Sequence, residues 1–147
     1  MRYIKRSPGQ GILLKADCEL RLRAFCDSDW ASCPVTRRSI TGYFVMLGES
    51  PISWKTKKQS TVSRSSAEAE YRAMASIANE LIWLKSLLTS LRVDHREPMK
   101  LFYDSQSIIH IAANSVFHER TKHIEIDCHY VREQVQIGNI VTAHLRS

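Results

Sequence analysis

The chain has 147 residues, 44% of them hydrophobic and 24% charged, with a formal charge of +6 at pH 7. It is of single-domain size, with ordinary globular composition and length enough for one proper core. No apolar run reaches the roughly 20 residues of a membrane span, Lys85 and several serines interrupt the longest candidate, and Met1 to Arg6 has charges without the apolar core of a signal peptide.

The basic balance, with a pI near 9.3, favours a polyanionic partner. Cys18, Cys26, Cys33 and Cys128 form no CxxC pair and read as reduced intracellular thiols. His118, His123, Cys128 and His129 have the spacing of no standard zinc finger, and a basic helix entry explains them better.

Residues 1–17 read as the end of a preceding element. Arg2 to Arg6 fit a last helical turn and Ser7 to Gly11 a breaker, so the chain is expected to be a piece of a larger polyprotein, with its own domain at 18–147. From Glu19, Leu20, Leu22, Ala24 and Cys26 alternate with Arg21, Arg23, Phe25 and Asp27, the pattern of a half-buried strand ending in an acid. A loop with Pro34, Arg37 and Arg38 leads to a second strand over Thr41–Leu47. A tight turn at Gly48–Pro51 then leads to a third strand over Ile52–Thr56, with Lys55, Lys57 and Lys58 at its end. Such short links make an antiparallel meander.

Ser63 to Leu91 predicts a long helix. At 100° per residue Glu70 lies in line with the apolar stripe Met74, Ile77, Leu81, Leu84 and Leu88. Glu68 points away, with Arg72, Asn79 and Ser86, and sits three residues after Ser65 in a capping-box spacing. A carboxylate on the buried stripe needs a strong partner, since an unpaired buried charge costs several kcal/mol. That partner is either a buried Arg or Lys, or a metal ion shared with other carboxylates.

After a polar loop, Met99–Tyr103 reads as a strand ending in Asp104, able to pair in parallel with the first strand through a right-handed crossover. A short helix from Ser105 to Asn114, a basic segment at Phe117–His123, a helix over Glu125–Ile137 stopped by Gly138 and a last strand over Ile140–Leu145 complete the chain. The order βββαβαβ implies an α/β fold: a mixed five-stranded sheet, three antiparallel strands then parallel ones, flanked by helices.

Ligands in such sheets lie at the carboxyl ends of central strands, where Asp27 and Asp104 both fall. With Glu70 brought in from the helix, three carboxylates repel one another unless cations sit between them, and hard oxygen ligands suit Mg²⁺ or Mn²⁺. Two such ions roughly 4 Å apart hydrolyse phosphodiesters, and Arg37, Arg38, Lys55, Lys57, Lys58 and Arg64 would hold the phosphates. Taken singly, Asp27 is a strand-end residue and Asp104 a helix cap; only the joint pattern favours a site. Asp29 rivals Asp27 from two residues further on, but Asp27 directly follows the alternating run.

Five blocks carry a family resemblance: Cys26–Ala31 (CDSDWA), Arg37–Tyr43 (RRSITGY), Ser53–Gln59 (SWKTKKQ), Ser63–Tyr71 (SRSSAEAEY) and His118–Glu125 (HERTKHIE). They closely resemble the ribonuclease H domain of copia-type LTR retrotransposon Pol polyproteins, plant ones especially, and the likeness runs the length of the chain. Tyr103–Gln106 (YDSQ) is also similar to the equivalent motif of cellular ribonucleases H.

The resemblance implies a ribonuclease H-like fold and cleavage of the RNA strand of RNA/DNA hybrids during reverse transcription, with two Mg²⁺ ions. Asp27 would bridge the ions, and Glu70 and Asp104 would hold the one on the leaving-group side, Glu70 near the 2′-OH that marks RNA. It implies further a covalent neighbour in a reverse transcriptase domain, joined through residues 1–17, and a cytoplasmic setting, in a virus-like particle when the element is intact. Family members carry a fourth acidic ligand on a final helix beyond the segment matching His144–Ser147. The expectation is therefore a chain lacking that helix, whose alternative role is a catalytically impaired hybrid-binding or structural remnant.

Overall fold

The computed structural model describes residues 6, 8–104 and 125–144. The expected helix at Ser105–Asn114, the basic segment at Phe117–His123 and most of the last turn at Arg2–Arg6 lie outside them.

Alternation builds the sheet. In β1 (Leu22–Asp29), Leu22, Ala24 and Cys26 are buried while Arg23, Phe25 and Asp27 face the other way. β2 (Ile40–Leu47) and β3 (Ser50–Lys58) follow as the antiparallel meander, and β4 (Met99–Tyr103) and β5 (Ile140–His144) add in parallel, giving the order β3-β2-β1-β4-β5. The mixed five-stranded sheet is the one the sequence predicts. Several bounds move: β1 runs on through Asp29, whose partner is Ile40, because β2 begins one residue earlier and extends the ladder. β3 runs from Ser50 to Lys58, so Lys57 and Lys58 lie within the strand, beyond its expected end at Thr56.

Gly48 makes the β2–β3 turn at φ 61°, where a Cβ would run into Cys18 Sγ and stand 2.8 Å from the Glu19 carbonyl oxygen. Lys15 is tied to the same turn, its backbone N–H donating to Ser50 Oγ at 2.8 Å and its ammonium pairing with Glu49.

Helix α1 (Ser66–Ser90) begins at Ser65, whose hydroxyl accepts the Glu68 N–H at 3.2 Å. Met74, Ile77, Leu81, Leu84 and Leu88 are buried against Leu22, Ala24, Val45 and Leu101 in one core, which α2 (Glu125–Gln136) joins through Cys128 and Val131. Among the described residues no helix is long and apolar enough to cross a membrane.

The opposite sheet face carries an in-register row across all five strands: Trp54, Phe44, Phe25, Phe102 and Ala143. Phe25 and Phe102 stack at 5.0 Å between centroids. Trp54 is 60% exposed and Phe44 38%. The row therefore faces solvent, away from α1 and α2.

Candidate active site

One expectation about α1 is inverted. Glu68, assigned to the surface, is 3% exposed, while Glu70, assigned to the buried stripe, is only partly buried. The reason is a segment that a helical wheel does not contain. Residues Gln59–Arg64 fold over the first turn, Glu68 accepts the Arg64 N–H at 2.6 Å and the Arg72 guanidinium at 2.6 Å, and Arg72 in turn donates to Thr61. Glu68 is the helix-start carboxylate after all, held from both sides.

Gln59 fixes this segment to the sheet and the helix together. Its amide donates to Thr41 Oγ1 at 3.0 Å and to the Ala69 carbonyl at 2.9 Å, and it accepts the Ser63 hydroxyl at 2.9 Å. The residue after Ala69 is Glu70. The start of α1 is thus set against β2 and β3, which fixes where the Glu70 backbone stands.

Asp27 lies near the end of β1, where its Oδ1 accepts the Ser28 N–H at 2.8 Å, and Asp104 directly follows β4. Both are exposed. Because β1 and β4 are parallel neighbours, their ends are adjacent, and α1 brings Glu70 across them. Asp27, Glu70 and Asp104 line one small cavity of about 10 Å³, together with Cys26, Ser28, Ala73, Met74 and Tyr103. Asp29 does not line it. A wider concavity of about 410 Å³ reaches from Asp27 and Asp104 over Gly42 onto the aromatic row.

The charge of the cluster is felt by its neighbour. The Cys26 thiol is pushed up to about 12, first by burial and then by Asp27, Asp104 and Glu70 in turn. As the side chains are set, no three His, Cys, Asp or Glu among the described residues stand close enough to enclose an ion. The donors are hard oxygens, and gathering three of them favours a divalent cation of the Mg²⁺ or Mn²⁺ kind. In that chemical sense the residues fit such an ion.

The basic residues surround this end of the sheet. Arg37 and Arg38 lie in the β1–β2 connection, Lys57 and Lys58 close β3, and Arg64 precedes α1; all are exposed. Lys55 stands further back. Lys55 and Lys57 border a second groove of about 440 Å³ between β3 and the helices, which also includes Thr61, Arg72, Ser76 and Asp127. By strand spacing it lies about 10 Å across the sheet from the carboxylates. Arg72 is a member that the sequence reading left as surface. Its signal was the Glu68–Arg72 spacing of four.

Cys33 was also passed over. Its Sγ lies 3.0 Å from Lys58 Nζ, and hydrogen bonds from Thr36, then from Lys58, lower the thiol to about 6. No spacing in the sequence announces that pair, 25 residues apart.

The geometry is that of a ribonuclease H-like fold. The structure superposes on the LC11 ribonuclease H1 isolated from compost with a TM-score of 0.61 over 86% of this chain and 84% of that one, at 13% identity. It also superposes on the ribonuclease H1 of Halobacterium salinarum with a TM-score of 0.57 over 85% of both chains, at 14% identity. In the prototype foamy virus protease-reverse transcriptase the match covers 90% of this chain and 18% of that one, with a TM-score of 0.60 at 13% identity.

Sequence narrows the class. The chain is 44% identical over 145 residues, 99% of its length, to retrovirus-related Pol polyproteins from the Arabidopsis thaliana transposons RE2 and RE1. It is 36% identical over 135 residues to that of the Nicotiana tabacum transposon TNT 1-94. Its strong homologues are thus plant copia-type Pol polyproteins, and the chain spans about 10% of the length of these relatives. No family model matches it.

Proposed function

We propose that this domain hydrolyses the RNA strand of RNA/DNA hybrids, using divalent metal ions held by Asp27, Glu70 and Asp104. The observation that carries the reading is the meeting of those three side chains, from β1, α1 and β4, at one cavity at the carboxyl end of the sheet. One related fold, the LC11 ribonuclease H1, is solved in complex with an RNA/DNA hybrid, and another belongs to a protease-reverse transcriptase, which supports a hybrid as substrate and a reverse transcriptase as covalent neighbour.

Two ions in such a site would activate the attacking water and stabilise the leaving oxygen. The chain's own part is positioning and charge. Asp27 and Asp104 offer oxygens from two fixed strand ends, while Glu70 approaches from a helix whose start Gln59 anchors. Arg37, Arg38, Lys57, Lys58 and Arg64 would draw in and seat the phosphates on either side of the scissile bond, and Lys55 with Arg72 would extend that seat across the sheet. The four cysteines are free, in keeping with action in a reducing intracellular compartment.

The test is cleavage of a hybrid labelled on its RNA strand, with Mg²⁺ or Mn²⁺, by the wild-type chain and by Glu70→Gln. The expected result is RNA-strand cutting that the substitution abolishes without changing the far-ultraviolet circular dichroism. Cutting that survives Glu70→Gln, or a wild-type protein that binds hybrid without turnover, would remove the catalytic assignment. The second outcome would leave a hybrid-binding module.

A further inference from the structure

Trp30 stands in the turn that follows β1, three residues beyond Asp27 and so at the carboxylate end of the sheet. It is 48% exposed, yet its indole N–H donates to the Ser63 carbonyl at 3.1 Å. Among the described residues neither of the other two tryptophans, Trp54 and Trp83, is tied down by its indole in this way. The tether itself is braced. Ser63 is buried and its hydroxyl donates to Gln59, whose backbone N–H donates to the Ser39 carbonyl at 2.8 Å. The Ser39 hydroxyl, fully buried, accepts the N–H of Ala31, the residue after Trp30, at 3.1 Å. Because the same Gln59 sets the start of α1 against the sheet, Trp30 and Glu70 are held in one frame.

A large ring left half in water adds little to the core, while its fixed orientation lowers the ordering cost that a partner would meet on contact. Its neighbours decide what it can touch. Asp29, exposed and directly before it, repels a phosphate from the ring, whereas Arg38 and Arg64, exposed and next in sequence to Ser39 and Ser63, attract the backbone nearby. We propose that the Trp30 indole reads groove shape: it lies in the minor groove of an RNA/DNA hybrid, against the ribose edges, and so favours hybrid over DNA duplex. A hybrid takes A-form geometry, whose minor groove is wide and shallow with its sugars displayed, whereas that of B-form DNA is about 6 Å wide. An indole held by its N–H does not fold away to suit the narrower groove, so a DNA duplex meets it as an obstruction. The inference rests on a hybrid being the ligand, but not on its cleavage.

The test is binding without cleavage, in chelator and no divalent ion, of a hybrid and of a DNA duplex of the same sequence. In the full chain carrying Trp54→Phe and Trp83→Phe, Trp30 is the sole tryptophan, and its fluorescence should shift and saturate with hybrid but not with DNA duplex. Trp30→Ala in the otherwise unaltered chain should weaken hybrid binding by about tenfold and leave DNA duplex binding unchanged or tighter, with Trp30→Phe, which keeps a ring, falling between. Equal losses on both duplexes, or a Trp30 fluorescence indifferent to hybrid, overturn the proposal. The fluorescence arm retains Trp30 and so decides the matter even where Trp30→Ala fails to fold. A chain that binds no hybrid overturns this inference and the nuclease reading together. Hybrid preference without cleavage in Mg²⁺ refutes only the catalytic assignment, and cleavage with a preference that survives Trp30→Ala refutes only the groove-reading role.

Discussion

Replacing Gln59 by Ala tests whether the start of α1 is held as described. The substitution removes the two amide donations, at 3.0 Å to Thr41 Oγ1 and 2.9 Å to the Ala69 carbonyl, and the acceptor of the Ser63 hydroxyl at 2.9 Å. Gln59, Thr41 and Ser63 are all buried, so the stranded groups recover little from water. At about 0.5–1.5 kcal/mol net per bond the loss is about 1.5–4.5 kcal/mol, offset by up to about 1.5–2 kcal/mol of side-chain entropy no longer given up on folding. A net loss of about 2 kcal/mol lowers the melting temperature by roughly 4–8 °C in a chain of this size. Urea unfolding followed by circular dichroism should show a lower midpoint at unchanged slope. Hybrid cleavage should fall further than the folded fraction does, because Glu70 directly follows Ala69. A change under about 0.5 kcal/mol, the range of an ordinary surface substitution, would refute the anchoring role.

Leu81 is fully buried beneath α1, and Leu81→Ala should cost about 2–5 kcal/mol in the same unfolding assay while leaving the carboxylates in place. Cys33, lowered to about 6, should be alkylated fastest of the four thiols, with a rate that climbs as pH rises through about 6 and levels above it, because only the thiolate reacts. Lys58→Met removes one donor to the thiolate and should move that midpoint upward, whereas Cys26 at about 12 and Cys128 at about 11 stay protonated and unreactive at neutral pH; mass mapping of the adducts decides it. Lys55→Gln with Lys57→Gln should weaken hybrid binding for every sequence and flatten its salt dependence by about one unit of slope per lysine, read from binding isotherms at several ionic strengths.

Periodicity carried most of the fold, because it reports which face of an element is buried. It assigned β4 its bounds, the stripe of α1 from Met74 to Leu88, and the adjacent ends of β1 and β4 that bring Asp27 and Asp104 together. It failed where a distant segment covers a face. The helical wheel put Glu68 in solvent because it contains neither Gln59 nor Thr61, and the two together close over the first turn. It ended β3 at Thr56, short of Lys57 and Lys58, because alternation is weak on an edge strand, whose far residues, Lys55 to Lys58, are all exposed. The pairing of Cys33 with Lys58 and of Cys26 with the carboxylates depends on which strands are neighbours, and no local pattern encodes that.

The aromatic row leaves the sheet with only one of its two sides covered by the described helices, a lopsided arrangement for a layered protein. Any layer that settles on Trp54, Phe44, Phe25 and Phe102 also becomes the roof over Asp27 and Asp104, because one open concavity joins Phe25, Phe44 and Phe102 to both acids. Greasy adhesion and admission to the acidic corner are therefore decided on the same flank, so whatever shields the one regulates the traffic into the other.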